Sequence, residues 1–349
     1  MTRRCNLKCV HCYAHARDAF FKGNELNTEE GIRLIDDLAA FGSPVMLFSG
    51  GEPVLREDLP ELIDYAVKKG MRAVISTNGT LITEEKARIF AKFNLSYIGV
   101  SLDGIGGVND AFRGVKGAFG KAMDGIRNAK KAGIKVGLRF TINKRNYKEI
   151  PRIFDLIDTE GIERACFYHL VYAGRGSELM NEDLSHEESR KSVDYILDRT
   201  KSFFDKGKPI EVLTVDNHAD GPYLYMRLLR EDPARAAEVF DLLMMNEGNA
   251  SGVGIACVDE EGNVHADQFW RHYSFGNVRK RPFSEIWMDT SNELMDKLKR
   301  KKEFVKGRCA RCRWLNICGG NFRVRAEAKT GDLWAEDPQC YLTENEITK

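Results

Sequence analysis

Short apolar runs alternate with amphipathic stretches along the first half of the chain. Each run ends in a polar segment rich in Gly, Asn, Asp or Ser, as is typical of a buried strand that enters a loop. The runs with their loops are PVMLFSGGEP, RAVISTNGT, LSYIGVSLDG, IKVGLRFTIN and ACFYHLVYAG. Between them, helical periodicity occurs near residues 84–93, 118–132 and 147–160. This alternation predicts parallel βα units and an α/β fold.

Two further helices are predicted near the start of this region. Asn27 and Thr28 can cap the first, whose apolar residues recur every three or four positions up to Phe41. The second begins near Leu59, and Gly70 is placed to end it.

Polar side chains stand where the predicted strands end. The carboxyl ends of parallel strands meet at one edge of a sheet, and the loops there build binding sites. We therefore expect one site to contain Ser49 to Glu52, Ser76 to Asn78, Ser101, Asp103, Arg139, Thr141 and His169.

The second half of the chain has a different organisation. Residues 177–248 are charged and predicted to be largely helical, without a chemical signature of their own. The segment GIACVDEEGNVHADQFW then predicts a hairpin, because its apolar residues alternate around an EEGN turn. The predicted regions are a first domain over 1–175, a mainly helical connection over 176–248 and a cysteine-rich domain over 249–349.

Composition narrows the range of partners. Lys and Arg total 53 against 52 Asp and Glu, a net charge of +1, so no broad field favours nucleic acid or an anionic membrane surface. No run of about 18 apolar residues occurs, and no leader is apparent. These features predict a cytoplasmic protein that acts on a small molecule.

Cys5, Cys9 and Cys12 form a C-x3-C-x2-C pattern beside His11 and His15. Thiolates suit zinc, copper(I) and iron–sulfur clusters. Structural zinc takes four ligands, so three thiols leave one position open unless a histidine fills it. Spacing alone is equally compatible with a catalytic iron–sulfur site and with a Cys3His zinc site.

A second group of cysteines lies near the carboxyl terminus and supplies four thiols: Cys309, Cys312, Cys318 and Cys340. Four thiols can close a site around either zinc or an iron–sulfur cluster. Of the remaining cysteines, Cys166 lies in an apolar strand and is predicted to be a core residue. Cys257 is either buried or a vestigial ligand.

The motifs of the first half together resemble the radical S-adenosylmethionine (SAM) superfamily. They are CNLKCVHCY at 5–13, SGGEP at 49–53, STNGT at 76–80 and SLDG at 101–104. The resemblance implies a partial (β/α)6 TIM-like barrel and a [4Fe–4S] cluster on Cys5, Cys9 and Cys12, whose fourth iron binds SAM. Such barrels have a strand before the first cysteine, where only Met1 to Arg4 stand here. We expect this strand to be missing, which would weaken the barrel edge.

The same resemblance implies contacts to SAM at the strand ends. Tyr13 would lie beside the adenine, and the glycines would let the backbone approach the ligand. Glu52 would accept from the ammonium group, Ser101 and Asp103 would bind ribose, and Arg139 would pair with the carboxylate. The full expected set is Tyr13, Gly50, Gly51, Glu52, Ser76, Asn78, Ser101, Asp103 and Arg139.

The carboxyl-terminal part resembles the SPASM extension of this superfamily, which normally carries seven cysteines for two auxiliary clusters. Cys257 matches the first position, but Asp267 and Phe322 stand where two further cysteines are expected. The quartet that ends at Cys340 is intact. The resemblance therefore implies two [4Fe–4S] clusters in all, one in each domain.

Longer strings are similar to the radical SAM family that acts on the iron tetrapyrrole 12,18-didecarboxysiroheme. They include DNHADGPYL, GNASGVGIA, CGGNFRVRA and GDLWAEDPQCYLT. This resemblance implies removal of acetate side chains to give Fe-coproporphyrin III, with a ferredoxin or flavodoxin as the low-potential electron donor. Two alternatives are propionate removal in heme d1 synthesis and peptide modification by a SPASM enzyme. A non-enzymatic zinc protein is a further alternative.

Cations and flat apolar walls are what a carboxylate-rich macrocycle requires. On this basis the substrate residues are expected among His218, Tyr223, His265, Gln268, Trp270, Arg271 and His272. A histidine there would ligate the substrate iron. The alternative is that HADQFW is simply a packed hairpin whose histidine is satisfied internally.

Overall fold

The computed structural model describes residues 1–348, so Lys349, in the third predicted region, lies outside the described residues. The strands are β1 Val45–Phe48, β2 Arg72–Thr77, β3 Tyr97–Ser101, β4 Val136–Ile142, β5 Arg164–His169, β6 Glu211–Val215, β7 Cys257–Val258, β8 Asn263–His265 and β9 Gly276–Asn277. The helices are α1 Thr28–Phe41, α2 Leu59–Lys68, α3 Glu84–Lys92, α4 Gly107–Arg113, α5 Ala118–Lys131, α6 Ile150–Glu160, α7 His186–Asp205, α8 Asp220–Glu231, α9 Pro233–Asn246, α10 Phe283–Met288, α11 Glu293–Lys299, α12 Gly307–Ala310, α13 Leu315–Cys318, α14 Arg323–Thr330 and α15 Glu344–Ile347.

Strands β1 to β6 form one parallel sheet in sequential order. The five apolar runs correspond to β1 to β5, and helices intervene between successive strands. This confirms the predicted partial barrel of βα units. Asn27 caps α1 as expected, in a capping box with Glu30.

The region over residues 176–248, expected to be mainly helical, contains α7, α8 and α9 and also a sixth strand that the apolar pattern did not predict. β6 pairs with β5 in parallel, with Ala165 opposite Val212. Its five residues EVLTV are exposed or only partly buried, so no continuous apolar run marked them. The pairing with β5 places β6 in the sheet. The residues next to β6 along the chain gave little indication of a strand.

The core lies between the sheet and the helices that cover it. Ile35 of α1, Ile63 of α2, Ile126 of α5 and Phe154 of α6 are each fully buried against the strands. Burying one such side chain contributes about 1.5–3 kcal/mol relative to leaving it in water. The apolar residues that recur with helical periodicity in the sequence are therefore those that pack against the sheet.

β1 is an edge strand of the sheet. Its Val45 and Leu47 side chains are each 47% exposed. The segment before Cys5 passes beside the loop that follows β1. The N–H of Gly51 donates to the carbonyl of Thr2 at 2.6 Å, and the N–H of Glu52 donates to that of Arg4 at 2.7 Å.

The carboxyl-terminal part contains the predicted hairpin. β7 and β8 pair antiparallel with Cys257 opposite His265, and β9 adds a third strand. The long GIACVDEEGNVHADQFW pattern therefore folds as expected around its turn. Among the described residues, no helix has both the length and the apolar character needed to cross a bilayer.

Candidate cluster and cosubstrate site

A cavity of about 960 Å³ opens at the carboxyl ends of the strands. Polar residues from every strand end of the large sheet contribute to its wall, as the alternating pattern predicts. Its lining includes Cys5, Cys9, Cys12, Tyr13, Ser49, Gly50, Gly51, Ser76, Asn78, Ser101, Arg139, Thr141, His169 and Asp216. The structure thus brings the amino-terminal thiols and most of the expected SAM contacts to one site.

Each of the three thiols accepts at least one hydrogen bond from a protein N–H group. The donors are the Leu7 backbone to Cys5 at 3.4 Å, the Ala16 backbone to Cys12 at 3.5 Å and the Arg113 guanidinium to Cys9 at 3.6 Å. Burial raises the pKa of the Cys5 thiol to about 12. Burial also raises the pKa of Cys9, and the charge of Arg113 opposes this. Donors to sulfur stabilise the thiolate form that a metal cluster requires.

The donor set fits the iron–sulfur cluster that the resemblance implies. A [4Fe–4S] cluster takes one thiolate on each iron, so three thiols leave the fourth iron to another ligand. The Nε2 of His11 lies 3.3 Å from the Asp103 carboxylate, and its Nδ1 has no hydrogen-bond partner among residues 1–348.

The two glycines after β1 are required because the backbone of the segment before Cys5 passes close to them. A Cβ atom at Gly50 would lie 2.4 Å from the carbonyl oxygen of Thr2, and one at Gly51 would lie 2.3 Å from that of Arg4. Gly50 also has a φ of 143°. Both residues line the cavity, but the close approach that they permit is that of the segment leading into Cys5.

Glu52 ties the loop after β1 to the end of β2. It is fully buried, and it accepts from the Val54 N–H, the Thr77 hydroxyl and the Asn78 N–H. Its Oε2 accepts from Asn78 alone and so keeps acceptor capacity. Binding of the SAM ammonium group by Glu52 stays a prediction.

Asp103 holds Arg113 beside Cys9. It is fully buried, its Oδ2 lies 2.5 Å from the Arg113 guanidinium, and its Oδ1 accepts from the Thr141 N–H at 3.1 Å. It does not line the cavity, whereas Ser101 does. Binding of ribose by Asp103 stays a prediction.

Arg139 and Tyr13 remain available to a ligand. The Arg139 guanidinium lies 4.6 Å from the centre of the Tyr168 ring and makes no ion pair within residues 1–348. A partly buried cation without an acidic partner among the described residues favours an anionic ligand. The Tyr13 hydroxyl lies 3.2 Å from that of Ser49, and its ring packs edge-on against Phe269.

Ser76 and Asn78 both line the cavity. The Asn78 amide donates to the Asn6 side chain at 2.9 Å and lies 3.9 Å from the Cys5 sulfur. The loop after β2 is therefore fixed directly against the cysteine segment.

The carboxyl-terminal quartet forms a second group of neighbouring thiols. Burial raises the pKa of Cys318 well above its ordinary value, and the nearby thiols of Cys340, Cys309 and Cys312 raise it further. The Trp314 N–H donates to the Cys312 sulfur at 3.4 Å. Four thiols that influence one another in this way supply the complete donor set of a closed iron–sulfur site.

The positions that depart from the seven-cysteine pattern are filled by other contacts. Asp267 accepts from the Ser251 hydroxyl at 2.5 Å and from the Phe269 and Trp270 backbone N–H groups. Phe322 is buried, and its ring packs edge-on against that of Phe269. These substitutions leave Cys257 without the other expected thiols and agree with one auxiliary cluster.

Four of the expected substrate residues do not line the cavity. His265 is buried, with its ring nitrogens bound to the Tyr273 carbonyl and the Asp259 carboxylate. Trp270 is also buried. The Tyr223 hydroxyl donates to Asp194, and His218 packs against Phe322. These contacts favour the alternative interpretation of HADQFW as a packed hairpin. Substrate contact by His218, Tyr223, His265 and Trp270 stays a prediction.

The other expected substrate residues do reach a cavity. Gln268 and Arg271 line the main cavity, and His272 lines an adjoining one of about 610 Å³. Arg271 forms an ion pair with Glu260, and His272 contacts Glu327. The sequence analysis did not identify Arg113 or Arg175, which lie outside the quoted motifs, or Asp216, which opens the string DNHADGPYL.

Comparisons with known proteins agree with this geometry. The profile of the radical SAM superfamily matches residues 1–157, and that of the SPASM iron–sulfur cluster-binding domain matches residues 249–313. Among solved structures, anSMEcpe with bound AdoMet and a peptide has a TM-score of 0.73 at 19% identity, covering 97% of this chain and 91% of its own. SuiB of Streptococcus suis has a TM-score of 0.75 at 18% identity, covering 98% and 74%. At these identities the likeness shows the fold.

Two curated relatives are similar over nearly the whole chain. The Fe-coproporphyrin III synthase of Methanosarcina barkeri is 68% identical over 99% of this chain and 88% of that protein. The pre-heme d1 synthase of Dinoroseobacter shibae is 43% identical over 98% of this chain and 85% of that protein. The chain therefore belongs to the radical SAM superfamily, and within it to the SPASM-containing family of these two enzymes.

Proposed function

We propose that this enzyme removes the acetate side chains of 12,18-didecarboxysiroheme and forms Fe-coproporphyrin III. The observation that carries the proposal is the 68% identity to a Fe-coproporphyrin III synthase, against 43% to the pre-heme d1 synthase. The cavity supports it in size and charge. Its volume of about 960 Å³ suits a large cofactor-sized substrate beside SAM.

In this proposal Cys5, Cys9 and Cys12 hold the [4Fe–4S] cluster, and the quartet ending at Cys340 holds the auxiliary cluster. When bound, the first cluster and SAM supply a 5′-deoxyadenosyl radical that abstracts hydrogen from the substrate. Arg139 pairs with the SAM carboxylate, while Tyr13 and Ser49 form the wall beside it. Ser76, Asn78 and Ser101 orient the remaining polar groups of the cosubstrate.

The substrate carboxylates require positive charge on the cavity wall. Arg175 lines the cavity, its side chain donates only to the Cys9 and Ala16 carbonyls, and it forms no ion pair within residues 1–348. Arg271 and Gln268 lie on the same wall. We propose that these three residues, with His272 at the adjoining cavity, orient the macrocycle.

The reaction also needs an electron donor of low potential, and we propose a ferredoxin or flavodoxin in the cytoplasm. The net charge of +1 supports neither a nucleic acid nor an anionic membrane as a partner.

The test is an anaerobic assay with reconstituted protein, didecarboxysiroheme, SAM and a reductant. We expect release of acetate and a product with the mass of Fe-coproporphyrin III, and no product from the matched Cys12→Ser variant. Loss of propionate side chains would instead assign the activity of the heme d1 relative. An unchanged tetrapyrrole in the presence of intact clusters would contradict both.

A further inference from the structure

Asp216 occupies an unusual position on the cavity wall. It directly follows β6, is 7% exposed and lines the main cavity. Its φ of 67° lies in the left-handed region, which few residues other than Gly, Asn and Asp adopt. The Arg325 guanidinium donates to its backbone carbonyl at 2.9 Å and so holds this conformation.

The carboxylate of Asp216 has no hydrogen-bond donor within residues 1–348, although it is more than nine-tenths buried. The charged groups around it are directed elsewhere. Arg325 forms a two-pronged ion pair with Asp337, His169 pairs with Asp220 at 3.0 Å, and Arg139 lies over Tyr168. A buried acid without a partner is costly unless a ligand or a proton satisfies it.

The neighbours of Asp216 act on its ionisation in opposite directions. Burial raises the pKa of Asp216 to about 7. The charges of Arg325, Arg139 and His169 lower it, and the nearby carboxylate of Asp267 raises it. Near neutral pH the group therefore exchanges between an acceptor and a hydrogen-bond donor.

We propose that Asp216 contacts the tetrapyrrole directly and, in its protonated form, donates a hydrogen bond to a side-chain carboxylate of the substrate. This inference rests on the proposed function. An ionised Asp216 would repel a carboxylate-rich substrate, whereas a neutral one complements it. Arg175 neutralises substrate charge on the same cavity wall, and Asp216 adds a directional contact that a cation does not supply.

The experiment measures substrate binding by the absorbance of the tetrapyrrole, with anaerobic cluster-loaded enzyme between pH 6 and pH 8.5. Binding that requires one proton weakens by up to about tenfold per pH unit above the pKa of the free group. We expect this decline in the unmodified enzyme. In Asp216→Asn, which tolerates the same φ and keeps a donor, affinity should lose that pH dependence.

Two further variants complete the test. Asp216→Gly keeps the backbone conformation but removes the donor, so affinity should fall at pH 6 and show no decline above pH 7. Glu261→Gln changes an exposed acid on the wall of the adjoining cavity and should retain the pH dependence of the unmodified enzyme. Iron content and SAM cleavage without substrate check that each variant keeps its clusters.

The outcomes separate the two proposals. If the enzyme binds and converts didecarboxysiroheme but Asp216→Asn and Asp216→Gly keep the unmodified pH profile, the role of Asp216 is overturned and the proposed function stands. If the unmodified enzyme binds no tetrapyrrole at any pH, both are overturned.

Discussion

The two cysteine groups of this protein differ in what lies beside them. Cys5, Cys9 and Cys12 fall within eight residues and line a large cavity with an unpaired arginine. The quartet spans residues 309–340, none of its members lines that cavity, and Trp314 packs beside it. An incomplete donor set next to open space suits a bound reactant, whereas a complete set among aromatic side chains suits a closed site.

The largest expected effect tests this difference directly. Cys12→Ser should abolish SAM cleavage, because it removes one of only three thiolates from the site where SAM binds. Cys318→Ser should lower iron content by about one cluster and impair turnover, yet it should leave some cleavage of SAM. Iron analysis and 5′-deoxyadenosine assays check both. Equal loss of SAM cleavage in the two variants would contradict the division of roles.

The next effect concerns the framework of the quartet. Arg325 and Asp337 form an ion pair in which both side chains are fully buried, and Arg325 also donates to the carbonyls of Leu170 and Asp216. Removing one partner of such a pair costs about 3–5 kcal/mol. Arg325→Met should therefore lower the free energy of unfolding by about this amount, as measured by denaturant titration under anaerobic conditions.

The ion pair between Arg325 and Asp337 also predicts that the stability of the protein depends on pH. Burial alone would raise the pKa of Asp337, but the Arg325 charge and hydrogen bonds lower it below the ordinary value. Its contribution to stability is therefore present above the pKa of the unfolded chain and is lost as the pH falls through the folded pKa. In Arg325→Met this acid-induced loss should become smaller, and an unchanged acid limb would contradict the assignment.

A smaller effect is expected beside the amino-terminal trio. Arg113 joins Asp103 to the Cys9 sulfur. Loss of such a partner of a metal ligand typically costs 10–100-fold in metal affinity or activity, so we expect Arg113→Gln to lower SAM cleavage by about 10-fold or more. Arg113→Lys, which keeps the charge, should retain more activity. A shift in the spectrum of the reduced cluster would separate a direct effect on the site from general destabilisation.

The smallest effect concerns the contact between the loop after β1 and the segment that leads into Cys5. Gly51→Ala would place a methyl group against the Arg4 carbonyl, and overpacking of this kind costs about 1–3 kcal/mol. Gly120→Ala in α5 is the matched control, because a Cβ atom there meets no atom within 4 Å. The free energy of unfolding of Gly120→Ala should equal that of the unmodified protein or exceed it by up to about 1 kcal/mol. Equal stabilities of the two variants would contradict the close approach at Gly51.

The sequence by itself determined the local features of this protein. Five of the six parallel strands and the first helices follow from apolar periodicity, because each pattern is completed within about ten neighbouring residues. The two cysteine groups follow from spacing for the same reason. The cavity at the strand ends also follows, since parallel strands place their carboxyl ends together.

Only the tertiary structure decided which polar side chains stay available to a ligand. Glu52 and Asp103 stand in the expected motifs, yet donors distant in sequence contact both carboxylates. Asp216 opens the quoted string DNHADGPYL without being singled out there, yet it faces the cavity without a donor among the described residues. β6 likewise depends on its pairing with β5. Hydrogen-bond satisfaction and burial are set by residues far apart along the chain, so no local pattern records them.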